Sequence, residues 1–172
     1  MSSIAVATKE MPPVGLGTLD DRFLRGEGLD APPEPTPVDI DVKITGPDSV
    51  AFTLQHPVEG VSIPEHEPST IYVSKPNATL SLRLHLNPAS GYTFHENPIL
   101  WVDPPQKGYG SDPFGTQPIR RDDPWAATIP NATGPKGSPK LETPFALVLE
   151  DLTLASRRTV VIDPTIVDEP NT

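Results

Sequence analysis

The chain has no cysteine among its 172 residues. That excludes disulfides, thiolate metal sites and cysteine nucleophiles. Basic residues are also scarce: 13 Lys and Arg against 23 Asp and Glu leave a net charge of -10, with a pI near 4.7. An acidic surface repels phosphate backbones and anionic lipid, which argues against nucleic-acid and membrane partners. No run approaches the roughly 20 apolar residues needed to cross a bilayer. The opening MSSIAVATKEMPP has no basic stretch ahead of an apolar run, and IAVA is too short for a signal-peptide core. A cytoplasmic location is therefore expected. Cofactor fingerprints are missing too. The glycine pairs in VGLGTLD and RGEGLD follow no strand pattern and lack the third glycine of a dinucleotide loop. There is no Walker lysine and no Gly-x-Ser-x-Gly elbow. DIDVK fails as a calcium loop because Ile44 stands where glycine is required. No cofactor is expected.

Proline is the residue present in excess, with 24 copies. It lacks the N–H that a ladder or helix interior requires and biases the preceding residue toward extended geometry. Short strands with irregular connections are the natural outcome. The first 37 residues mix glycine, charge and proline and end in APPEPTP, which reads as an N-terminal arm with a stiff spacer. From residue 38 to 172 the pattern becomes that of a folded domain. Val38, Ile40, Val42 and Ile44 alternate with Asp39, Asp41 and Lys43, then Val50, Phe52 and Leu54 repeat the period of two beyond a Gly-Pro-Asp turn. TIYV is a shorter strand. TLSLRLHL turns Leu80, Leu82, Leu84 and Leu86 inward and Ser81, Arg83 and His85 outward. GYTF, ILWV, FALVLEDLTL, TVVI and TIV follow.

Roughly seven to nine strands without a helix between them make an all-β fold, a two-sheet immunoglobulin-like β-sandwich, with a jelly roll as the rival. Residues 103–144 read as one long proline-rich loop. It carries Tyr109, Phe114 and Trp125, more aromatic weight than a disordered tail, and is expected to drape over the sandwich.

The tail VVIDPTIVDEP sets Asp163-Pro164 and Glu169-Pro170 close together. Acid-proline pairs recur elsewhere, at Asp103-Pro104, Asp123-Pro124 and Glu67-Pro68 among others. Proline ends a ladder and the acid caps nearby N–H groups, so these pairs read as punctuation rather than as an acid/base couple. This tail resembles the ending of the small bacterial DP-EP family and, more loosely, that of the AidA/PixA inclusion-body proteins. The resemblance implies a β-sandwich and no established activity.

Several residues stand out as sites. His56, His66, His85 and His95 lie near Glu65, Glu67 and Glu96; imidazole with carboxylate is a metal-ligand set, and His85, His95 and Glu96 are the candidates. The cupin pattern fails, since Arg83 stands where its first histidine belongs. Each histidine also has an ordinary reading as a solvated or locally bonded side chain. Trp125, Tyr109 and Phe114 could stack on a ligand, with Arg120 and Arg121 beside them, although RRDD also suits a self-neutralising turn. Trp101, between Leu100 and Val102, reads as core. Both NAT sequons, at Asn77 and Asn131, read as chance matches without a leader.

The reading that follows is a non-enzymatic binding or self-assembly protein forming homo-oligomers, with a protein or glycan as a further partner. A metal-dependent enzyme is the main alternative and a carbohydrate-binding module a weaker one.

Overall fold

The computed structural model describes residues 34–102, 109–111 and 119–171. The expected arm falls outside the described residues up to position 33, and Phe114 lies outside them as well. The chain is already extended at Thr36, two residues before the expected domain start: β1 is Thr36–Gly46.

The predicted alternation is realised in β1, in β2 (Ser49–Leu54) and in β5 (Thr79–Leu86). Val38, Ile40, Val42, Phe52 and the four leucines of β5 are all buried. β1 hairpins antiparallel onto β2 and pairs parallel with β5 on its other side. On β5 lies β9, Ala126–Ala132, whose far side holds two short strands, β7 (Gly110–Ser111) and β8 (Arg121–Asp123).

The second sheet is built around β10, Leu141–Asp151. β6 (Tyr92–Trp101) lies along one side of it. Along the other run β11 (Arg158–Ile162) and β12 (Thr165–Asp168). Then come β4 (Thr70–Val73), parallel to β12, and β3 (Val61–Ser62). Two mixed sheets packed face to face make this an all-β sandwich. Phe94, Ile99, Phe145, Leu147, Leu149 and Ile166 of the second sheet meet Ile40, Leu82, Leu84 and Ile129 of the first in one core. Trp101 belongs to it, edge-on to Phe145 at 6.1 Å between ring centroids. No helix among the described residues is long and apolar enough to cross a membrane.

Two expectations need correction. The stretch 103–144 contains three whole strands and the first four residues of β10 rather than a continuous loop, and one of the three, β9, is interior to its sheet. Its sequence AATIPNA hides the period of two, because the inward positions are Ala127, Ile129 and Asn131 and a proline interrupts the run. Pro130 is tolerated because the far side of β9 is unladdered between the β8 and β7 pairings. GYTF and ILWV are one strand, β6, with a register irregularity between its two halves that admits Pro98.

Asp163-Pro164 proves to be a pause within a single track. Leu147 faces Ile162 and Pro144 faces Thr165, so β11 and β12 keep one register along β10. Phe145 N–H donates to Pro164 O at 3.0 Å across the break. The chain stays in the same sheet, and β12 alone goes on to pair with β4.

Candidate functional site

Four of the residues singled out in the sequence meet. His95 and Glu96 from β6, Arg121 from β8 and Trp125 from the turn after it line one surface hollow of about 440 Å³, together with Glu150 and Arg157. Backbone pairing joins these segments, since Phe94 N–H donates to Pro124 O at 2.8 Å. Arg121 Nη1 donates to Phe94 O at 2.9 Å, which fixes the guanidinium against the rim. His95 Nδ1 accepts from Asn97 N–H at 3.1 Å. Trp125 is partly exposed, and its turn is fastened by Trp125 N–H donating to Asp123 Oδ1 at 2.7 Å.

His85 is not with them. It stands on the outer face of the first sheet, Nε2 2.8 Å from Asp39 Oδ1, in a different hollow of about 720 Å³ with Asp41, Lys43, Gln55 and Tyr92. The proposed ligand trio His85, His95 and Glu96 is split because β5 and β6 belong to different sheets. Among the described residues no three His, Asp or Glu side chains are grouped to hold a metal. His85→Ala is expected to change stability by less than about 1 kcal/mol, as for a half-exposed ion pair. Urea denaturation at neutral pH checks this. Arg120 is exposed ahead of β8. Tyr109 is exposed too and stands at a third, smaller hollow.

That third hollow leads to a feature the sequence did not announce. At one end of the core four polar side chains replace the apolar ones: Ser111 and Asn131 from the first sheet, Thr143 and Asp168 from the second, each at most 3% exposed. Asn131 Nδ2 donates to Asp168 Oδ1 and Oδ2 at 3.0 and 3.1 Å and lies 3.5 Å from Ser111 Oγ. Turning that amide over would set its oxygen against the carboxylate, so the donor orientation is the stable one while Asp168 is ionised. Burial nevertheless outweighs the Asn131 bond and pushes the Asp168 carboxyl up to about 6. Asn131 Oδ1 and Thr143 Oγ1 have no hydrogen-bond partner among the described residues. Two signals could have found this cluster: Asn131 at the third inward position of β9, and Asp168 in step with the inward Ile166.

The outer face of the second sheet is unusual in another way. Ala146 and Val148 point away from the core yet are nearly covered by their neighbours. Leu100 pairs with Ala146 and Val161 with Val148, and Leu100, Val102 and Val161 are each about half exposed. Among the described residues β11 has a strand on one side only. Because Phe145 bonds Pro164, antiparallel alternation turns the backbone of residues 158, 160 and 162 toward β10 and that of Thr159 and Val161 toward the open edge.

Fold and surface define the class as an all-β sandwich with an apolar outer strip, one open strand and a polar core end. No protein-family model and no curated protein matches the chain. Among solved structures it is similar to the crystal structure of the inclusion body protein PixA from Burkholderia cenocepacia J2315, with a TM-score of 0.45 and 10% identity over 83% of this chain and 98% of that one. A likeness at that distance carries no functional argument. None of these comparisons shows the DP-EP family.

Proposed function

We propose that this protein is a non-enzymatic β-sandwich that works by self-assembly, a second copy of the chain pairing antiparallel along β11. The observation that carries it is Val161, half exposed on a strand that is open on one side and lies beside an apolar strip. An open edge with free N–H and C=O groups is a template for another strand. Charge complementarity selects a copy of the same chain. A twofold axis at Val160 sets Thr159 against Val161 of the partner subunit and Arg157 against Asp163 of the partner subunit, twice over by symmetry. On that face Val161 then lies diagonally across from the partner's Val161, and the two apolar strips merge.

Native mass spectrometry of the full chain tests this with the wild type and Val161→Pro. The Val161 N–H points to the open edge, so proline there spares the β10 ladder and blocks the new one. The wild type is expected at a multiple of 18.5 kDa, and Val161→Pro as a monomer with unchanged far-UV circular dichroism. A monomeric wild type, or a variant that assembles equally well, would sink the idea.

A second reading is ligand capture at the Trp125 hollow, favoured by the meeting of Trp125, Arg121, His95 and Glu96 around one depression. A sugar ring would stack on Trp125 while Arg121 and Glu96 take its hydroxyls. Glycan-array binding that disappears in Trp125→Ala is its test.

A further inference from the structure

The polar end of the core opens to solvent through the smallest of the three hollows, about 220 Å³, lined by Tyr109, Ser138, Lys140, Leu141, Asp168 and Pro170. Asp168 belongs both to that lining and to the buried cluster, so its carboxylate connects the two. No Lys, Arg or His among the described residues lies within ion-pair distance of it. The lysine at the mouth, Lys140, is held by Glu142 at 2.8 Å instead.

The neutral oxygens of the cluster are arranged around the same carboxylate. At Gly110, φ 93°, a β-carbon would stand 2.6 Å from Leu141 Cδ2, 3.6 Å from Thr143 Oγ1 and 3.8 Å from Asp168 Oδ2, so the Leu141 methyl and both oxygens lie close to the β7 backbone. Asn131, whose amide nitrogen already touches Asp168, contributes its unpartnered Oδ1 from the opposite sheet. A buried carboxylate without a cation partner among the described residues, set in the wall of a hollow, asks for a positively charged group there. Divalent cations fit poorly, since calcium takes six to eight oxygens and usually several carboxylates.

We propose that this hollow binds the primary ammonium group of a small amine, with Asp168, the one member of the buried polar cluster that lines it, as counter-ion. A volume of about 220 Å³ admits a short-chain amine rather than a peptide or an oligosaccharide. Tyr109, half exposed at the mouth, offers its ring to the alkyl stem and its π face to the charge. The net charge of -10 concentrates cations near the surface.

The test is a titration of the uniformly ¹⁵N-labelled full chain with n-butylammonium chloride at pH 7.5 and fixed ionic strength. Amide spectra are compared with matched titrations of 1-butanol and sodium chloride. The expected result is a saturating movement of the Asn131 side-chain NH₂ pair and the Tyr109 amide that neither control reproduces. Asp168→Asn keeps the hydrogen-bonding shape and removes the charge, and is expected to weaken binding tenfold or more. Tyr109→Ala, at an exposed position, weakens it several-fold. Val161→Pro binds the amine as the wild type does, so failure of the assembly reading and failure of this one are told apart. Linear shifts, shifts matched by butanol or sodium chloride, or an Asp168→Asn variant that binds equally well would overturn the proposal.

Discussion

Replacing Phe145 by alanine is expected to cost about 3–5 kcal/mol, the range for emptying a fully buried aromatic site. Phe145 is 0% exposed and meets Trp101 edge-on. It sits midway along β10, where its neighbours are Trp101 of β6 on one side and the Pro164 carbonyl on the other. Collapse around the hole is opposed from both sides, because those strands are laddered to β10 and cannot close in without breaking hydrogen bonds. A domain of this size has only about 5–15 kcal/mol in total. The expected result in urea is a midpoint lowered by a large fraction of its value with the m-value unchanged. Val148→Ala, on the outer face of the same strand, should cost far less, since its cover comes from side chains that can relax into water. A Phe145→Ala loss no larger than that of Val148→Ala would mean that β10 is not the centre of the core.

FALVL was legible as a strand, but a continuous apolar run does not say which face turns inward, and the structure places Phe145, Leu147 and Leu149 in the core. Period-two alternation did find β1, β2 and β5. It failed where the inward residues are small or polar. Ala127 and Asn131 carry no hydrophobic signal, so β9 disappeared into a supposed loop. Pro130 and Pro98 looked like breaks, although each sits where the ladder has a gap or an irregularity. Pairing across sheets was out of reach. His85 and His95 are close in sequence, but the path from β5 to β6 changes sheet, and no spacing rule records that step. His95, Arg121 and Trp125 looked like scattered loop and strand residues until the β6–β8 contact joined them.

Asp168 shows the limit most clearly. In VDEP it looks like one more acid ahead of a proline, and only the register of β12 against β10 and β4 turns it inward. Its burial has a thermodynamic signature of definite sign. The folded carboxyl is raised from 3.8 to about 6, so between those values the native state holds a proton that the unfolded chain has released. Stability therefore falls as pH rises through that window, and the ionised form costs on the order of 3 kcal/mol above it.

Two shifted groups near this end, Lys140 and Tyr72, titrate well above that window. Lys140 is raised by its pairing with Glu142 and stays charged, while Tyr72, which donates to Glu67, is raised and stays neutral. Asp151 works in the opposite sense and at lower pH: Thr153 holds its carboxyl below the usual value, so its contribution is lost only as the medium becomes strongly acidic. The expected profile of unfolding free energy therefore declines between about pH 4 and pH 6.

Asp168→Asn removes the charge without removing the volume. It is expected to be more stable than the wild type at pH 7.5 by a sizeable part of that roughly 3 kcal/mol and to flatten the profile between pH 4 and 7. Urea midpoints of both proteins across that range are the measurement. Equal slopes would mean that Asp168 is solvated in the native state. A flattened slope together with lost amine binding would mean that the chain keeps a destabilising carboxylate in its core because a cation uses it, as functional sites often trade stability for chemistry.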